Sequence, residues 1–301
     1  MKITRRSIIA LPAVAAGLGS CGKSGKRTIA VIPKGRSHLF WQSVHAGAIA
    51  AARETGVEIA WNGPSTETDF NGQIQIVESM INRRVDAIAL APIDKKVMVG
   101  VVERAAREKI PVIIFDSPVD TDKFVSQVAT DNYAAGKMAA DRVGAILKGK
   151  GKVIIVACQV GAASTMAREQ GFEDKIKEAF PEIKILDKRY GMSEVAPSRT
   201  VAENMLTAFP EVDAVFASNE SSSMGAALAH KARKSIHSVP FPATTAAMLG
   251  DPRRHLGVER FRGRDVNPRR RRYHHGSFGV AALAGARATQ DEGQLRVLTG
   301  Q

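Results

Sequence analysis

Two aromatics stand side by side, Phe40 and Trp41, just beyond an apolar run at residues 29–33 that reads as a strand buried on both faces. The chain of 301 residues holds only 11 Phe, 2 Trp and 3 Tyr, so the pairing is an unusual use of scarce rings. Polar residues occupy comparable points further on. Asp94 follows one apolar run and Asn219 stands at the end of another, and Asp69 and Gln73 follow the turn Asn62-Gly63-Pro64. In an open α/β sheet, ligands bind outside the carboxyl ends of the strands. An acceptor-only carboxylate at Asp94 can take two hydroxyls, and the amide of Asn219 can both donate and accept. Flat apolar faces flanked by such groups suit a sugar ring. Each also has a structural reading: Phe40 and Trp41 as a staple at a helix start, and Asp94 as the N-cap of a helix beginning at Lys95.

Catalysis has no such constellation. GxSxG, P-loop and HExxH patterns are absent, and Asp116, at a strand end, lacks the partner a general base needs. No metal or cofactor is expected, because CxxC and Cys/His zinc spacings are missing. Lys34 reads as a solvated loop lysine, and Cys158, inside an apolar run, as a buried thiol.

The elements that would position these residues follow a strand–helix alternation. Strand candidates at 28–33, 57–61, 86–91 and 112–115 start 29, 29 and 26 residues apart, the spacing of successive βα units. Helical faces lie between them: Ile74, Val77 and Ile81, then Val97, Val101 and Ala105. Continuous apolar strands alternating with amphipathic helices imply a parallel sheet covered on both faces. A second series reads as strand 124–129, helix 132–148, strand 152–159, helix 165–179, strand 183–187, helix 198–209, strand 214–217 and helix 222–229. The expected organisation is a first α/β lobe over 27–117, a crossover near Asp116–Pro118 and a second lobe over 118–230.

The ends differ from this body. Residues 1–21 carry the basic residues Lys2, Arg5 and Arg6, then an apolar stretch at 8–18, the layout of an export signal. That stretch is too short to span a bilayer, which takes ~20 residues. Leu18-Gly19-Ser20-Cys21 resembles a lipobox, making Cys21 a lipidation site, with residues 22–26 as tether. The net charge of +13 invites a nucleic-acid reading, but residues 231–301 hold 12 Arg and 2 Lys against 5 acidic residues. The body is near neutral, and no nucleic-acid partner is expected. In this basic tail the strand–helix rhythm stops and arginine displaces lysine, as when GC-rich DNA is read out of frame. A reading-frame shift near residues 230–235 accounts for both and leaves the second lobe incomplete.

Several ordered motifs together resemble the type 1 periplasmic substrate-binding proteins of sugar ABC transporters, in the ribose-binding branch. They are His38-Leu39-Phe40-Trp41 with Gly47, Pro92-Ile93-Asp94, Ala129-Thr130-Asp131-Asn132 with Gly136, Ala167-Arg168-Glu169-Gln170-Gly171-Phe172 and Phe216-Ala217-Ser218-Asn219-Glu220. The resemblance covers residues 26–229. It implies two Rossmann-like lobes with parallel sheets joined by a hinge, closing on a monosaccharide. It implies Phe40 and Trp41 as a sandwich for the sugar ring, and His38 where the family often carries an Asn. Arg168 is implied to reach the ring oxygen or a hydroxyl, and Asp131 and Asn132 to form a cap and hinge. The implied partners are an ABC permease and, through Cys21, the membrane, with the protein a monomer in the periplasm or cell envelope. The alternatives are a periplasmic sugar sensor feeding a chemoreceptor or kinase and, further off, a sugar-responsive transcription regulator.

Overall fold

The computed structural model describes residues 26–232. The apolar runs form the expected strands: β1 (Thr28–Ile32), β2 (Glu58–Trp61), β3 (Ala87–Leu90) and β4 (Val112–Phe115). Helices α1 (Leu39–Thr55), α2 (Phe70–Asn82) and α3 (Val99–Arg107) alternate with them. All strand pairs are parallel, in the order β2-β1-β3-β4-β5, where β5 is Ser126–Val128. The second lobe comprises α4 (Asn132–Ile146), β6 (Lys150–Ala157), α5 (Ala163–Ala179), β7 (Glu182–Tyr190), α6 (Val195–Ala208), β8 (Ala214–Ala217) and α7 (Glu220–Ala232). Its parallel sheet has the order β7-β6-β8 among the described residues. The fold is therefore two Rossmann-like lobes, as expected. In both, the chain reverses direction across the sheet beside a central strand, β1 in one and β6 in the other. That topology opens a crevice at the strands' carboxyl ends.

One expected boundary is corrected. The strand read as the start of the second lobe is β5, and it pairs with β4 through Ile113↔Ser126, Ile114↔Gln127 and Phe115↔Val128. The chain therefore leaves the first sheet after Val128, not near Asp116–Pro118, and the second lobe begins with α4. A second correction concerns α3. It starts at Val99, so Val97 lies outside it and is exposed, while Val101, Val102 and Ala105 face the core. The tail at 233–301 and the leader at 1–25, with Cys21, lie outside the described residues.

Each lobe has its own core. Ile32, Ile88, Leu90 and Ile114 of the first sheet pack against Val77, Met80, Met98 and Val102. In the second lobe, Val153, Ile155 and Phe216 meet Phe172 and Ile176 on one face of the sheet, and Ile154 and Val156 meet Met205 and Leu206 on the other. Helices α4 and α5 cross closely: a Cβ at Gly136 would collide with the Arg168 carbonyl, and one at Gly171 with that of Tyr133. This crossing fixes the height at which Arg168 leaves α5. Helix α1 ends at Gly56, whose φ of 73° is the left-handed conformation a helix C-cap favours.

Candidate functional site

Loops from both lobes converge at the strand ends, and a carboxylate that the sequence reading passed over holds them together. Glu67, in the β2–α2 loop, is buried. Its Oε1 accepts from the Trp41 indole N–H at 2.6 Å and faces His38 Nδ1 at 3.0 Å. Its Oε2 accepts from the Ser193 hydroxyl at 2.9 Å, and its backbone carbonyl from Gln159 Nε2 at 2.9 Å. Ser193 and Gln159 belong to the second lobe, so Glu67 ties the lobes together. Burial works to raise the Glu67 carboxyl. The hydrogen bond from His38, the Lys34 charge and the Trp41 N–H outweigh it and hold the group below the ordinary carboxylate range. The bond to Glu67 likewise raises His38 above its ordinary value, against burial and with help from the charges of Glu220 and Glu194.

A second knot surrounds Lys34. It is 3% exposed, which corrects its reading as a solvated loop lysine. Its Nζ donates to Asp116 Oδ2 at 2.6 Å, to Ser117 Oγ at 2.5 Å and to Ser164 Oγ, from the second lobe, at 3.1 Å. An ammonium group has three donors, so all are engaged. Asp116, without a visible partner in the sequence, has one in Lys34. Its backbone lies at φ 64°, and Ser193 at φ 55°, sparsely populated conformations for residues other than glycine. Such strain concentrates where surrounding contacts over-determine the backbone, as at ligand clamps.

The sequence-predicted residues divide into three groups. His38 and Arg168 are buried and polar, His38 in the cleft between the lobes. His38 Nε2 and Arg168 Nε have no protein partner, and neither does Gln159 Oε1. Arg168 donates through Nη1 to the Ser218 carbonyl and through Nη2 to Asn132 Oδ1, the latter at 2.6 Å. Burial lowers its affinity for its proton, partly offset by the Asp116 charge.

The second group serves as caps. Asp69 Oδ1 accepts from Gly72 N at 2.8 Å, at the start of α2. Asp94 Oδ1 accepts from Lys96 N and Val97 N at 2.7 and 3.0 Å, capping a turn ahead of α3 rather than a helix at Lys95. Its Oδ2 faces Gly161 of the other lobe, where a Cβ would strike it. Asn219 Oδ1 accepts from Ser222 N at 3.0 Å, capping α7. Asp131 caps α4 at Ala134 N, 2.9 Å. Gln73 is fully engaged within its lobe, donating to the Pro33 and Ala91 carbonyls and accepting from Ile93 N. It pins the loops after β1 and β3 to each other.

The aromatic pair forms the third group. Phe40 and Trp41 touch edge to face, with centroids 4.8 Å apart and planes at 76°. That contact leaves no slot between them, so the two do not sandwich a ring in this geometry. Trp41 is 2% exposed and Phe40 48%, so only Phe40 presents a face outward. Cys158 is buried against Ser193 Oγ, and burial pushes its thiol up to about 12, which leaves it inert at neutral pH. Among the described residues no group of three or more His, Cys, Asp and Glu could hold a metal ion, and no helix is long and apolar enough to cross a membrane.

Two parallel α/β lobes meeting through polar side chains at their strand ends define a bilobal binding protein. Comparison with known proteins narrows this. Residues 29–249 match the periplasmic binding protein domain, and the chain belongs to that family. It is 31% identical over 215 residues to the D-ribose/D-allose-binding protein of Pseudomonas aeruginosa, covering 69% of this chain and 67% of that protein. The D-allose-binding periplasmic protein of Escherichia coli is 30% identical over 211 residues, covering 66% and 67%. Among solved structures, a carbohydrate transporter solute-binding protein from Agrobacterium radiobacter, in complex with D-arabinose, aligns with a TM-score of 0.67 and 32% identity, covering 70% of this chain and 73% of that one.

Proposed function

We propose that the protein captures a monosaccharide between its lobes and delivers it to the permease of an ABC importer. The observation that carries this reading is the buried polar lining of the strand ends. His38 Nε2, Gln159 Oε1 and Arg168 Nε lie beside it without protein partners, and a hydroxyl-rich ring can supply partners to such atoms. Phe40 offers the apolar face, and Asp69, Asp94 and Asn219, beyond their capping duties, keep lone pairs or N–H groups for hydroxyls at the rim. The family membership and the sugars bound by the relatives support the same reading. Lipid attachment at Cys21 follows from the leader and predicts that a Cys21→Ser chain leaves the membrane fraction of expressing cells; unchanged fractionation excludes it.

A thermal-shift series with pentoses, hexoses and polyols tests capture. A ligand at 100 times its Kd stabilises the folded state by about 2.7 kcal/mol. The expected result is a saturable rise in Tm with at least one neutral monosaccharide. A flat response to all of them at millimolar concentration overturns the reading. One structural neighbour, 27% identical, is the fructose-binding periplasmic domain of a hybrid two-component system, which keeps a sensor role as the second reading. Sugar uptake that depends on this chain separates transport from sensing.

A further inference from the structure

Helix α1 carries the aromatic pair, yet its N-terminus has no cap of its own. The N-cap residue, His38, makes no side-chain capping bond, and the first turn contains no acidic residue. The leading N–H groups of a helix have no intrahelical acceptors and need partners from elsewhere. Here the partner comes from the other lobe. Glu220 Oε1 accepts from Leu39 N at 3.2 Å and Glu220 Oε2 from Phe40 N at 2.9 Å, across 181 and 180 positions of sequence.

Glu220 is also the first residue of α7, whose own start is capped by Asn219. Two helices from different lobes thus meet N-terminus to N-terminus, within the reach of one side chain. Each N-terminus carries roughly half a positive charge. Facing each other with nothing between, they repel. A carboxylate between them is attracted to both and turns that repulsion into cohesion. The bond exists only while the lobes are together, because opening the cleft carries Glu220 away with α7 and leaves the Leu39 and Phe40 amides to water.

We infer that Glu220 is a closure latch: a trans-lobe helix cap that sets the balance between open and closed forms and thereby the residence time of the ligand. It is a positioning residue, acting through α1 rather than by touching the ligand. The latch draws on the capture reading for its binding consequence only; its effect on the lobes needs no ligand.

Hydrogen–deuterium exchange on the full chain, without sugar, reads the latch directly. In Glu220→Ala, the segment holding Leu39 and Phe40 is expected to exchange roughly five- to tenfold faster, the scale of a lost cap. Acceleration should extend to the cross-lobe contacts around Glu67 and Ser193, while β3 and the interior of α2 keep their rates and report an intact fold. Glu220→Gln, which keeps the acceptor oxygen and loses the charge, should fall between. Stopped-flow binding of D-ribose and D-allose adds a second readout, expected to show a faster off-rate at an unchanged on-rate. Acceleration confined to Leu39 and Phe40, with off-rates as in the parent, reduces Glu220 to a local cap and overturns the latch, as does no change at all. If neither sugar binds the parent chain, capture of these sugars fails on its own and the exchange data still decide the latch.

Discussion

His38 and Glu67 form a buried hydrogen-bonded pair whose two members respond to pH in opposite directions. His38 is raised above its ordinary 6.5, so its contribution to stability is fully present below that value and is lost as pH rises through the raised one. Glu67 is lowered below its ordinary 4.5, so its contribution is present above that value and is lost as pH falls through the lowered one. The pair is therefore worth most between about 4.5 and 6.5, the interval that both ordinary values bound. Urea denaturation of the parent chain should show stability declining as pH rises from 6.5 toward 9. In Glu67→Gln that decline should flatten, because a neutral amide, though it can still accept a hydrogen bond, lacks the charge that favours protonated His38. An equal slope in both chains would show that the pair does not form. Glu67 could not be found from sequence: it sits in a polar loop without periodicity, and its side-chain partners lie 26, 29 and 126 positions away. Lys34 departs from the expectation of a solvated lysine for a related reason. A lysine in a loop is normally solvated, and only the fold brings Asp116, Ser117 and Ser164 around it.

Elements were legible where one chemical rule dominates. Strands β1, β3, β4, β6 and β8 are apolar runs because helices cover both faces of their sheets, and the spacing of the βα units shows in the sequence directly. Strand β5, at the edge of the sheet among the described residues, is only three residues long and half-buried throughout, so its run says strand without saying which sheet it joins. Pairing with β4 decides that, and pairing is not a local property. The glycines of the α4–α5 crossing were visible as motif residues but not as a mechanism. Gly136 and Gly171 lie where each helix meets the other's carbonyl oxygens, so a side chain at either would push the helices apart. Arg168 leaves α5 from the middle of that contact and takes its place against Ser218 and Asn132 from it. Asp69, Asp94 and Asn219 show the converse. Their position after a strand or, for Asp69, after the turn at 62–64 marks them as candidates for a ligand, and the same position makes them natural caps for the helix or turn that each one precedes.

At the scale of the molecule, the lobes are separate hydrophobic bodies joined by polar contacts. No core cluster among the described residues contains side chains from both: Ile88 and its neighbours lie wholly in the first lobe, and Ile154 and its neighbours wholly in the second. What crosses between them is a set of hydrogen bonds, including Ser193 to Glu67, Gln159 to Glu67 and Lys34 to Ser164. A net hydrogen bond contributes only about 1 kcal/mol, whereas truncating a buried isoleucine costs about 2–5 kcal/mol. Damage to one core should therefore stay in its lobe. Ile154 is fully buried beneath α6, and Ile154→Ala should accelerate amide exchange through β6, β7 and β8 by more than tenfold. Strands β1, β3 and β4 should keep nearly their parent rates. Ile88→Ala should produce the reverse pattern. A saturating monosaccharide should narrow the difference, because a ligand held by both lobes couples their unfolding. If either truncation accelerates both sheets equally without ligand, the lobes are one cooperative unit, and the polar contacts at the strand ends bind them more strongly than their number and chemistry indicate.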